Sequence, residues 1–157
     1  MWVQVPPSAP KKTQLNLKNR GTEFFKIYKR KLNGGDMKLI LNGGGYGERI
    51  KESYEIFAKE INGGKVLYIP LAWNNGNMEN CINWFRSEML PYGIVDIDDC
   101  LNSEEITKEK LAKYSGVFIG GGNTYQLLKA LKDTCAFKNL KEYIENNGLI
   151  MGGSAGL

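Results

Sequence analysis

Apolar residues recur along this chain in two rhythms that take turns. Five short runs, 38–42, 65–70, 94–97, 116–119 and 149–151, are apolar almost throughout. Between them lie stretches in which apolar residues return every three or four positions. Over 47–61, Ile50, Tyr54, Phe57 and Ile61 mark one face of a helix, with Glu48, Lys51, Glu55 and Lys59 on the other. A second helix is expected from an Asn77 N-cap through Met89, burying Cys81, Ile82, Trp84, Phe85 and Met89. A third should open at Ser103 and reach Tyr114, with Glu104 and Glu105 at its positive end. A fourth runs from about Thr124 to Lys132 and a fifth from about Phe137 to Glu145. Asn62-Gly63-Gly64, Pro91-Tyr92-Gly93 and Asn146-Asn147-Gly148 supply the stops.

Strands that are apolar throughout and alternate with helices predict an α/β fold. The expected architecture has three layers, with a doubly wound, mostly parallel sheet in the middle. Sites in such sheets lie outside the carboxyl ends of the strands. Three segments there are rich in glycine or small residues: 43–45, 120–123 and 152–156.

Composition narrows the picture. The 157 residues suit one domain. No apolar run is long enough to span a bilayer, and the signal-peptide pattern is missing. Cys81, Cys100 and Cys135 are scattered and read as reduced thiols of a cytoplasmic protein. The chain contains no histidine, the commonest general base and metal ligand. Neither a metal nor another cofactor is expected. The net charge of +4 hides an asymmetry. Residues 1–36 hold eight basic and two acidic residues, or +6; the other 13 basic and 15 acidic residues leave −2. The part expected to fold is mildly acidic, which argues against nucleic-acid binding.

Residues 1–36 are expected to lie outside the fold, as a non-native or disordered basic extension with Met37 as the true start. Back-translated, Trp2–Val5 and Ala9–Pro10 can read as the T-arm and acceptor end of a transfer RNA. Asn33–Met37 can read as a ribosome-binding site abutting a start codon. The alternative is a genuine basic arm, with 24–32 as a short amphipathic helix on a membrane surface or an acidic partner.

Two glycine runs invite a dinucleotide-binding reading and fail it. Gly43-x-Gly45-x-x-Glu48 and Gly120-x-Gly122-x-x-Tyr125 both lack the third glycine that close helix–strand packing needs. Neither continues as Gly-Lys-Ser/Thr, so a P-loop is excluded. Gly43–Gly45 is either a tight turn or a substrate-lining loop. Gly152-Gly153-Ser154-Ala155-Gly156 is stronger: a buried strand running into Gly-x-Ser-x-Gly describes a nucleophile elbow, which lifts a serine hydroxyl above a sheet. The bland reading makes Ser154 a helix N-cap. A tetrahedral oxyanion wants two N–H donors. Gly122, in a glycine loop before a helix, and Ala155, next to the serine, are the candidates. Gly121 and Asn123 are candidate substrate contacts, with Asn123 more simply a helix cap.

Ile119-Gly120-Gly121-Gly122-Asn123-Thr124-Tyr125-Gln126-Leu127-Leu128, together with Gly152–Gly156, resembles peptidase E, the α-aspartyl dipeptidase and cyanophycinase group of serine peptidases. The resemblance covers about Met37 to Gly156. It implies a flavodoxin-like, class I glutamine amidotransferase-like fold that is incomplete at the C-terminus. Ser154 would be the nucleophile, Gly122 and Ala155 the oxyanion hole, and a small aspartyl dipeptide-like molecule the substrate. The family's catalytic histidine and its acidic partner follow the nucleophile strand; that region is absent here, and the chain has no histidine to substitute. A serine at ordinary pKa needs a base. The 157 residues alone are therefore expected to be inactive, with the sheet's last strand uncovered. A glutamine amidotransferase would need cysteine at position 154. An α/β-hydrolase esterase carries its oxyanion loop after an earlier strand. A non-catalytic small-molecule-binding or interaction module is the alternative from another class.

Overall fold

A computed structural model describes residues 25–32, 35–44, 48–73 and 78–156. Its centre is a six-stranded sheet. In chain order the elements are β1 (Phe25–Leu32), β2 (Gly35–Asn42), α1 (Glu48–Ile61), β3 (Val66–Ile69) and α2 (Met78–Met89). Then come β4 (Ile97–Asp99), α3 (Lys108–Leu111), β5 (Gly116–Ile119), α4 (Thr124–Lys132), α5 (Ala136–Glu145) and β6 (Leu149–Gly153). The sheet order is β1-β2-β6-β5-β3-β4. The five strands from β2 to β4 run parallel, and β1 pairs antiparallel with β2.

The period-2 alternation of each strand sorts its side chains into two cores. Val66, Tyr68, Phe118, Leu149 and Met151 face α1 and α2, where they meet Ile50, Tyr54, Phe57, Ile61, Phe85 and Met89. Their neighbours Leu67, Ile69, Val117, Ile119 and Ile150 face α4 and α5, where they meet Leu127, Leu131, Ala136 and Leu140. This is the expected three-layer, flavodoxin-like α/β fold. Phe118 sits at the hub of the first core, 4.5 Å from the Phe85 ring centroid and 6.0 to 6.2 Å from those of Tyr54, Phe57 and Tyr68. Edge-on and tilted contacts of this kind add about 0.5–1.5 kcal/mol per pair beyond area burial. Among the described residues, no helix is long and apolar enough to cross a membrane.

Four expectations change. Residues 25–32 and 35–36, expected outside the fold, form β1 and the start of β2, so 25–32 is a strand and not a helix. Phe25, Ile27 and Tyr28 are strand formers, and pairing with β2 gives the backbone of this otherwise basic stretch its hydrogen-bond partners. The nucleophile strand β6 is not left at an edge, since it lies between β2 and β5. The third parallel strand starts at Ile97 and not Ile94, because Gly93 (φ 76) still turns the chain and Val95 stays exposed. The helix expected over 103–114 breaks in two, because Asn102 caps a 3-10 turn at Ser103–Glu105 and Thr107 caps α3. Each side-chain oxygen accepts a backbone N–H and so starts its own short helix. The expected Asn77 cap lies outside the described residues.

Candidate active site

β3 sends its chain to α2 on one face and β5 sends its chain to α4 on the other. The crevice between two such neighbours is where open α/β sheets bind ligands. The chain spans that crevice with a backbone bond, Asn123 N–H to Ala72 O at 2.8 Å. Gly122 makes the approach possible. It has φ +140, and a Cβ there would lie 2.5 Å from Ala72 O. Only glycine takes that backbone conformation without strain.

Ser154 stands one strand away. β6 runs through Gly153 and turns at once into a 3-10 helix, Ser154–Gly156. Ser154 has φ 52, a left-handed conformation that is uncommon outside glycine, asparagine and aspartate. Its side chain is exposed at the carboxyl end of the sheet. The elbow is pinned from β5, because a Cβ on Gly156 would lie 2.3 Å from Ile119 O. It is pinched by both glycine runs. A Cβ on Gly121 would come within 2.9 Å of Ser154 Cβ, and one on Gly44 within 3.3 Å. The three carboxyl-end segments therefore meet around Ser154 Cβ.

The two runs differ in where their N–H groups go. Gly44 N–H donates to Asn42 Oδ1 at 3.1 Å and is spent. In the other run, Gly120 N–H donates to Ile69 O and Asn123 N–H to Ala72 O. Gly121 and Gly122 N–H have no acceptor among the described residues. An anion could take both. Asn123 Oδ1 accepts Gln126 N–H at 3.1 Å and caps α4. That leaves its Nδ2 for any substrate contact. Ala155 lies in the 3-10 turn beside Ser154.

No side chain among the described residues hydrogen-bonds to Ser154, and the whole sequence lacks histidine. A titratable group beside the glycine loop is Tyr68, whose hydroxyl lies 3.0 Å from where a Gly120 Cβ would be. Burial, and then its contact with Cys81, push this phenol well above its usual range, so it stays protonated at neutral pH. Sequence reasoning passed over Asn42, Ser53 and Ala72. Asn42 left a signal, a polar residue ending an apolar strand before Gly43-Gly44, which is turn chemistry. Ala72 left none, since a backbone carbonyl carries no residue code.

The comparisons with known proteins agree with this fold. The model of peptidase family S51 matches residues 39–157. The chain belongs to peptidase family S51. It is 28% identical over 117 residues to a probable alpha-aspartyl dipeptidase of Drosophila melanogaster, covering 74% of this chain and 47% of that protein. It is 30% identical over 105 residues to an uncharacterised peptidase of Listeria innocua, covering 64% and 49%. The chain thus spans about half the length of the curated relatives it matches. Among solved structures, a peptidase E protein of Listeria monocytogenes superposes with TM-score 0.58 at 26% identity, over 75% of this chain and 58% of that one. A peptidase of an acI-B1 actinobacterium gives TM-score 0.61 at 23% identity, over 75% and 54%, a likeness of fold.

Proposed function

We propose that this S51 chain carries the nucleophile part of a serine peptidase acting on short, aspartyl dipeptide-like substrates. Ser154 Oγ attacks the peptide carbonyl. The N–H groups of Gly122 and Ala155 receive the oxyanion, and Gly121 and Asn123 border the substrate. The observation that carries the reading is the meeting of Gly44 and Gly121 on a Ser154 held at φ 52, with the Gly121 and Gly122 N–H groups unspent among the described residues. Each oxyanion donor is worth about 10²–10³ in turnover. The substrate class comes from the family and from the name of the Drosophila relative.

The base is the missing part. Without one, only binding and oxyanion stabilisation remain, and the 157 residues alone do not turn over. The test uses a fluorophosphonate probe and an aspartyl dipeptide. It compares this chain with a version carrying the remaining half of its relatives' length. The longer version should label at Ser154 and cleave the dipeptide, and Ser154→Ala should abolish both. Hydrolysis by the 157-residue chain itself, lost in Ser154→Ala, would overturn the claim of inactivity. A longer version that binds the dipeptide without labelling would favour a non-catalytic binding module.

A further inference from the structure

Among the described residues, the buried polar side chains are Asn42, 3% exposed, and Ser53, 0% exposed, and they bond to each other. Burying a carboxamide and a hydroxyl costs stability unless each finds partners. An apolar pair would fill the same space without that demand. What the polar pair adds is direction. Asn42 Nδ2 donates to Ser53 Oγ at 3.0 Å, and Ser53 Oγ donates to Ile50 O at 2.6 Å. The carboxamide is thereby fixed against the first turns of α1, with Oδ1 aimed at the loop beyond β2. There it accepts Gly44 N–H at 3.1 Å. Gly44, at φ +93, stands beside the serine: a Cβ on it would lie 3.3 Å from Ser154 Cβ and 3.7 Å from Ser154 Oγ. Asn42 is also the sheet partner of Gly153, the residue before Ser154.

We propose that Asn42 is a positioning residue for Ser154. Through Gly44 it fixes the wall beside the serine, and with it the rotamer from which the hydroxyl faces a substrate. The path runs from Ile50 O through Ser53 and Asn42 to Gly44 and Ser154. This role rests on reading Ser154 as the nucleophile, but its test does not require turnover. In the 157-residue chain, the Ser154 Hα–Hβ couplings report the rotamer, and exchange of the Gly44 amide reports the Asn42 bond. The parent protein should show one rotamer and a protected Gly44 amide. Asn42→Ala should give averaged couplings and faster Gly44 exchange, with the rest of the amide spectrum unmoved. Asn42→Asp, held neutral by burial, keeps an oxygen acceptor for Gly44 and an O–H donor for Ser53 Oγ, and should retain the parent couplings.

The double variant Asn42→Ala/Ser53→Ala separates positioning from stability. Removing both buried polar partners also removes the Ser53 Oγ acceptor that the single change leaves without its donor, so stability should recover in part. The Ser154 couplings should stay averaged. A fixed parent rotamer in either folded alanine variant overturns the proposal, as does averaging in Asn42→Asp equal to that in Asn42→Ala. If neither alanine variant folds, the network is a requirement of the fold, and the positioning role falls. Fluorophosphonate labelling of the longer version reads the nucleophile separately. Absent labelling with an intact coupling result would sink the nucleophile and leave the Asn42–Gly44–Ser154 link standing.

Discussion

The two ends of the sheet are built on opposite rules. At the amino end, before β3, β4, β5 and β6, polar groups find partners within the chain. Lys65 Nζ reaches Asp98 at 2.9 Å and Asp96 at 3.6 Å, Tyr114 donates to Asp98 at 2.7 Å, Tyr143 donates to Tyr114 O, and Lys108 pairs with Glu142. A groove of about 430 Å³ lies there, lined by Lys108, Tyr114, Asn139, Glu142 and Tyr143 among others. Size alone would make it a candidate site, but several of its polar side chains are already spoken for. At the carboxyl end, donors are left open and one serine is held in an unfavourable conformation. A closed end stabilises. An open, strained end stores the capacity to bind something else.

The largest expected effect tests whether the open end is rigid. Gly122→Ala puts a Cβ 2.5 Å from Ala72 O at φ +140, and a backbone carbonyl cannot step aside as a side-chain tip can. We expect a loss of about 2–4 kcal/mol in urea unfolding. In a version with a base, turnover should fall by about 10²–10³ as the N–H swings away. A variant as stable as the parent would show that the loop yields, and the contrast between the two ends would weaken.

That contrast was only half legible in the sequence. Periodicity placed α4 at Thr124–Lys132, where the Asn123 cap agrees with the apolar stripe, and α5 within one residue of its start on its stripe alone. It also named the three segments that meet at Ser154. It singled out Gly122 as a donor but left Gly43–Gly45 open between a tight turn and a substrate-lining loop. Two glycine runs look alike as residues and differ in whether a neighbour takes their N–H groups, which is a fact of tertiary packing. The order of strands was equally hidden. Nothing local says that β6 enters between β2 and β5, or that 25–32 joins the edge beyond β2. The broken helix at 103–111 was legible in part, since Asn102 and Thr107 are strong cap types whose claims outweighed an amphipathic pattern only four residues deep.

A smaller effect, of opposite sign, tests the strain. Ser154 at φ 52 sits where a left-handed residue with a Cβ costs roughly 1–2 kcal/mol, part of which glycine would return through the freedom it adds to the unfolded chain. Ser154→Gly should therefore raise stability by up to about 1 kcal/mol while removing the hydroxyl. Ser154→Ala removes the same hydroxyl and keeps the Cβ, so it should give no such gain. If thermal unfolding ranks the two alike, the elbow holds no strain and its geometry is simply comfortable.

The smallest effect belongs to the closed end and carries a pH signature. Tyr114 first, and Lys65 second, hold the Asp98 carboxyl below its usual range. A carboxylate whose folded pKa is depressed contributes stability above its unfolded pKa, about 3.9, and loses that contribution as pH falls through the lower folded value. Tyr114→Phe removes the hydroxyl donor and leaves Tyr114 O free to accept Tyr143 as before. Asp98 is 45% exposed at its side chain, so solvent screening reduces the effect to a few tenths of a kcal/mol. The gap between parent and variant should be constant from neutral pH down to about 5, then narrow below about 4 as Asp98 takes its proton in both. A gap that widens on acidification would mean the hydroxyl stabilises the neutral acid, and the amino end would then be closed by packing and not by charge.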